Sequence, residues 1–77
     1  MDTLRIGGGR KAKIRPADIL GALTGEAGGL AGSDIGKIEI HDDFSYVAVA
    51  RTVSRQAARS LSDGKIKGRK FRVAIER

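Results

Sequence analysis

Ile35-Gly36-Lys37-Ile38-Glu39-Ile40-His41-Asp42-Asp43-Phe44-Ser45-Tyr46-Val47-Ala48-Val49 decides the fold. Ile38 and Ile40 alternate with Lys37, Glu39 and His41, the period of a half-buried strand. Val47 and Val49 repeat that period on one face, with Phe44, Tyr46 and Ala48 on the other. Asp42-Asp43 between the two runs is turn chemistry. The stretch predicts two strands, over 35–41 and 44–49, joined by a turn.

Working outward toward the N-terminus, Leu4 and Ile6 flank Arg5 in a short strand over Thr3–Ile6, which Gly7-Gly8-Gly9 ends. Pro16 opens a helix through Thr24, because its missing N–H has no partner in a first turn anyway. Ile19, Leu20 and Leu23 share one face of it, Asp18 sits in the first turn, and Gly25 is the stop. A glycine-rich loop follows to Asp34, with Leu30 as its anchor. Toward the C-terminus, Thr52 or Ser54 caps a second helix to about Ser62, with Val53, Ala57, Ala58 and Leu61 inward. Asp63-Gly64 ends that helix. A last strand is expected over Ile66–Ile75, with Phe71, Val73 and Ile75 inward and Lys70 and Arg72 outward.

The order βαββαβ predicts an α+β, ferredoxin-like fold: a four-stranded antiparallel sheet with two helices on one face. In that topology the first strand lies between the third and the fourth. The 77 residues suit one domain. The absence of cysteine excludes disulfides and thiolate metal sites and fits a reducing compartment. No apolar run reaches the length of a membrane span and no secretory signal precedes the first strand, so a cytoplasmic protein without membrane contact is expected.

The net charge is +6, and it is unevenly placed. Residues 1–15 hold five cations and one anion, residues 16–64 four cations and seven anions, and residues 65–77 six cations and one anion. Basic ends flanking an acidic middle suggest one basic face, the footprint of a nucleic-acid binder. The predicted topology brings the two ends together. Gly7-Gly8-Gly9-Arg10-Lys11-Ala12-Lys13-Ile14-Arg15-Pro16 would sit at the same end of the sheet as the approach to the last strand, with Lys65 and Lys67.

Several known motifs match the sequence only in part. A P-loop needs Gly-Lys followed by Ser or Thr, but Lys11 and Lys13 precede Ala12 and Ile14. A dinucleotide fingerprint needs a glycine where Ala12 stands. Gly25-Glu26-Ala27-Gly28 matches a phosphate-clamping GXXG loop, yet Glu26 would repel a phosphate. His41 with Asp42, Asp43 and Glu39 is thin material for catalysis or magnesium, since adjacent aspartates in a turn are ordinary turn residues. Asp42 to Val49 fits the RNA recognition motif at Phe44, Ser45, Tyr46 and Val47. There the two aromatics stack bases on the open sheet face. The departures are Asp42 for a cation, Asp43 for glycine, Val49 for an aromatic, and Arg5 where the first strand usually carries an aromatic.

Gly8-Gly9-Arg10-Lys11-Ala12-Lys13-Ile14-Arg15-Pro16, Asp34-Ile35-Gly36-Lys37-Ile38, Ser45-Tyr46-Val47 and Lys65-Ile66-Lys67-Gly68-Arg69-Lys70 together resemble the C-terminal RNA-binding domain of DbpA-type bacterial DEAD-box RNA helicases. The resemblance runs from Leu4 onward. It implies a divergent RNA recognition motif (an RRM-like fold) attached to an upstream helicase core. That core would hold ATP binding and unwinding, leaving this chain with no catalytic, cofactor or metal residue. It also implies an anchor on large-subunit ribosomal RNA, at a hairpin of the peptidyl-transferase region, during ribosome assembly. Related domains of cold-shock helicases have broader targets, but the basic loop here is that of the specific group.

The expected RNA contacts are the backbone at Gly8 and Gly9, the cations Arg10, Lys11, Lys13 and Arg15, and a second set from Lys65, Lys67, Arg69, Lys70 and Arg72. Tyr46, Phe44 and Arg5 would meet bases or sugars on the sheet. A monomeric domain is expected. The competing expectation is a protein-interaction module whose basic edge holds an acidic partner.

Overall fold

The computed structural model describes residues 1–25 and 29–76, without the side chain of Lys65. Its main elements are β1 (Asp2–Ile6), α1 (Pro16–Thr24), β2 (Ile35–Ile40), β3 (Ser45–Val49), α2 (Ser54–Ser60) and β4 (Val73–Glu76). They form one four-stranded sheet in the order β2-β3-β1-β4, with every neighbouring pair antiparallel. This is the ferredoxin-like arrangement that the order of elements predicts.

The alternation sorts the sheet into two faces. Leu4 and Ile6 of β1 and Val47 and Val49 of β3 are fully buried beneath the helices. They pair as Leu4 with Val47 and Ile75, and Ile6 with Ser45 and Val73, so one face of three strands lines the core. Ile19 and Leu23 of α1 and Ala57 of α2 close it from above, joined by Ile14, Leu30, Leu61 and Ile66. Fully burying one such aliphatic side chain contributes about 1.5–3 kcal/mol, so these positions hold the layers together.

The first helix keeps its predicted bounds for local reasons. The Asp18 carboxylate accepts the Arg15 N–H at 2.9 Å, which satisfies a donor that the first turn leaves open. At the other end Gly25 N–H donates to Gly21 O, and Leu30 N–H donates to Leu23 O, which draws the following loop back onto the core. The GXXG stretch lies outside the described residues from Glu26 to Gly28.

Two expectations need correction. Neither Thr52 nor Ser54 caps α2: a single tight turn over Arg51–Val53 leads into it, and Val53 stands at the cap with no side-chain bond. Ser54 is buried inside the helix, where its hydroxyl donates back to Arg51 O at 3.0 Å. The last strand is also shorter than the alternation suggests. It begins at Val73 rather than Ile66. Residues 66–69 make a tight reversal instead, with Ile66 bridged to Arg69 and positive φ at both Lys67 (54°) and Gly68 (69°). Ile66 is fully buried because this reversal presses it into the core, not because it lies in the sheet.

Candidate nucleic-acid interface

The segment after β1 is built onto the β2–β3 turn. A Cβ on Gly9 would collide with His41 O and lie 2.7 Å from Phe44 O, so only glycine lets the two backbones approach this closely. Arg10 N–H then donates to His41 O at 2.7 Å and Lys11 N–H to Asp42 O at 3.0 Å. Gly8 is packed under the Phe71 ring, and its carbonyl accepts the buried Ser45 hydroxyl at 2.8 Å. Gly8 and Gly9 are thus buried in the packing, and the exposed part of the loop is its side chains.

Those side chains differ in their company. Arg10 pairs with Asp42 at 3.3 Å and Lys11 with Asp43 at 3.5 Å. All four groups are about two-thirds or more exposed (65–74%), where such pairs are worth about 0–1 kcal/mol. Lys13 and Arg15 are exposed and enter none of the ion pairs found among the described residues. Lys13 holds φ at 62°, a conformation that costs a residue with a Cβ roughly 1–2 kcal/mol.

The second basic segment arrives at the same place. Lys67 Nζ donates to Lys13 O at 2.9 Å and lies 3.7 Å from the Asp18 carboxylate. Arg69 reaches Ala12 O at 3.5 Å, with its guanidinium 5.3 Å from the centroid of the Phe71 ring. Lys70 and Arg72 are exposed and take part in none of the described ion pairs. The two ends of the chain therefore meet at one end of the sheet, as the topology requires. The Lys65 side chain is outside the described residues.

The open sheet face carries the aromatic residues. The register aligns Glu39, Tyr46, Arg5 and Ala74 across the four strands. The next row is His41, Phe44, Gly7 and Arg72, joined by His41 N–H to Phe44 O and Gly7 N–H to Arg72 O. His41 stacks on Phe44 with ring centres 4.6 Å apart and planes 22° from parallel. Tyr46 meets both rings edge-on, at 5.9 and 5.3 Å. The Arg5 guanidinium lies over Phe44, 5.0 Å from its centre. An open cleft of about 340 Å³ runs beside them, lined by Arg5, Gly7, Asp43, Phe44, Arg72, Ala74 and Glu76.

Sequence reasoning placed Phe44, Tyr46 and Arg5 on one surface, and the structure brings them together. It missed the carboxylates of Asp43 and Glu76 in the same cleft. The β1–β4 register is the signal that could have found Glu76. The pairing of the acidic turn with Arg10 and Lys11 had no signal in the linear spacing.

A ferredoxin-like sheet with aromatics on its open face, bordered by converging basic segments, defines an RNA-recognition-motif-like domain. The family described as the DbpA RNA binding domain matches residues 3–75. The chain is 55% identical over 75 residues to the ATP-dependent RNA helicase DbpA of Escherichia coli, an overlap of 97% of this chain and 16% of that helicase. It is 38% identical over 68 residues to the ATP-dependent RNA helicase DeaD of Mycobacterium tuberculosis, covering 88% of this chain and 12% of the relative. A DbpA of Bacillus subtilis is 31% identical over 70 residues, 91% of this chain and 14% of its own length. The chain belongs to the DbpA RNA-binding domain family. It spans 16% or less of the length of these relatives.

Proposed function

We propose that this domain anchors a DEAD-box RNA helicase to structured large-subunit ribosomal RNA in the bacterial cytoplasm, at a hairpin of the peptidyl-transferase region, so that a helicase core in the same protein can remodel nearby RNA during ribosome assembly. The chain itself acts by binding, as a monomer, and the ATP-driven step belongs to that core. One observation carries the reading: two basic segments far apart in sequence meet at one end of the sheet and leave Lys13, Arg15, Lys70 and Arg72 outside the described ion pairs. These cations hold phosphates, while Arg10 and Lys11 exchange weak surface partners for stronger charge-assisted bonds to phosphate oxygens. Tyr46, Phe44 and Arg5 offer stacking and cation surfaces to unpaired bases of the hairpin. Lys67 and Arg69 hold the two segments together. The similarity to the ATP-dependent RNA helicase DbpA supports the RNA-binding part of the reading, and the ribosomal target is what the resemblance of the basic loop Gly8–Pro16 implies.

The test is a titration of the domain against a ribosomal RNA fragment containing that hairpin, with a scrambled hairpin as competitor, at two salt concentrations. The reading expects tight binding that the scramble does not compete away. Equal and steeply salt-dependent binding to both would reduce the site to a general basic patch. Binding to neither would point to an acidic protein partner instead.

A further inference from the structure

We propose that Asp42 and Asp43 are specificity-determining residues, acting as a built-in competitor for phosphate that suppresses binding to unstructured RNA. The inference rests on the RNA-binding reading above and goes beyond it. The β2–β3 turn and the glycine loop are one unit, fixed by the two backbone bonds from Arg10 and Lys11 and by the seat of Gly9 on His41 O. That unit sets each of two neighbouring cations against its own carboxylate, Arg10 on Asp42 and Lys11 on Asp43. Both pairs are exposed, so neither is needed to hold the fold.

The consequence is electrostatic. A flexible polyanion reaching Arg10 and Lys11 also meets two negative charges a few ångströms away, and like-charge contact opposes it. A structured RNA escapes that repulsion if its shape sets phosphates on the cation side and hydroxyls or base amino groups on the carboxylates. Discrimination then comes from a repulsive element rather than from added attraction. The cations that the sequence presents as a uniform basic run are thereby split into a compensated pair, Arg10 and Lys11, and a pair, Lys13 and Arg15, that enters no ion pair among the described residues.

The experiment compares wild type with the Asp42→Asn, Asp43→Asn double variant. Asparagine keeps the turn chemistry of aspartate, and thermal unfolding monitors the fold. Affinity is measured for the hairpin RNA and for a uridine homopolymer of equal length, at several salt concentrations. The expected result is a gain on the order of tenfold for the homopolymer, a smaller gain for the hairpin, and a homopolymer salt slope steeper by up to about 1.4. An equal factor on both RNAs, or no change, overturns the proposal. A loss confined to the hairpin also overturns it, by making the aspartates positioning groups for Arg10 and Lys11. A wild-type domain that binds neither RNA removes the underlying RNA reading, a failure distinct from the other three.

Discussion

The two basic segments look alike in sequence and are held in opposite ways. The first, Arg10 to Arg15, is fixed by its backbone: glycines pressed on the turn and amides bonded to turn carbonyls. Its cations have weak partners, Arg10 on Asp42 and Ile40 O and Lys11 on Asp43, while Lys13 and Arg15 enter no ion pair among the described residues. The second, Lys67 to Arg72, joins the sheet through Gly7 N–H to Arg72 O but is tied to the first segment by its cations: Lys67 and Arg69 bond Lys13 O and Ala12 O. A charge committed to a protein carbonyl is less available to a phosphate. Counting lysines and arginines therefore overstates the charge that the second segment leaves without a protein partner: Lys67 and Arg69 are bonded to carbonyls, whereas Lys70 and Arg72 enter none of the ion pairs among the described residues.

The backbone anchoring of the first segment is tightest at Gly9. Gly9→Ala puts a Cβ against backbone that cannot move aside, so it should destabilise the domain by about 3 kcal/mol or prevent folding. Denaturant unfolding would read it directly. Lys67→Ala should lower stability by about 1 kcal/mol through loss of the tie to Lys13 O, read in the same unfolding assay. The smallest effect has the opposite sign. Lys13→Gly removes left-handed strain and should raise stability by about 0.5 kcal/mol in the same unfolding assay, even as it weakens RNA binding. A variant that gains stability and loses affinity would mark the Lys13 strain as retained for the site.

Much of this was legible in the sequence because it rests on short-range rules. The period of Ile38, Ile40, Val47 and Val49 gave the two strands, and Pro16 with Asp18 gave the start of α1. The antiparallel order then placed the basic ends together. The failures have physical causes. The apolar residues Ile66, Phe71, Val73 and Ile75, with cations between them, suggest one strand over Ile66–Ile75. Ile66 is instead buried by a reversal at Lys67-Gly68, where a lysine adopts a conformation that favours glycine or asparagine. Thr52 and Ser54 are both cap residues by type, but Val53 holds the cap position, and Ser54 lies one residue inside the helix with its hydroxyl donating to Arg51 O. The pairs Arg10–Asp42 and Lys11–Asp43 were hidden because they depend on the close approach at Gly9, a tertiary fact.

In the proposed RNA complex the first basic segment meets phosphates, while Lys67 holds the two segments together. The most direct measurement is the salt dependence of affinity for the hairpin RNA, compared between Lys11→Ala with Lys13→Ala and Lys67→Ala. The double variant should flatten the slope by up to about one unit per lost phosphate contact, whereas Lys67→Ala should leave the slope in place and lower stability. An unchanged slope in the double variant, or an equal flattening in both, would contradict this division of roles.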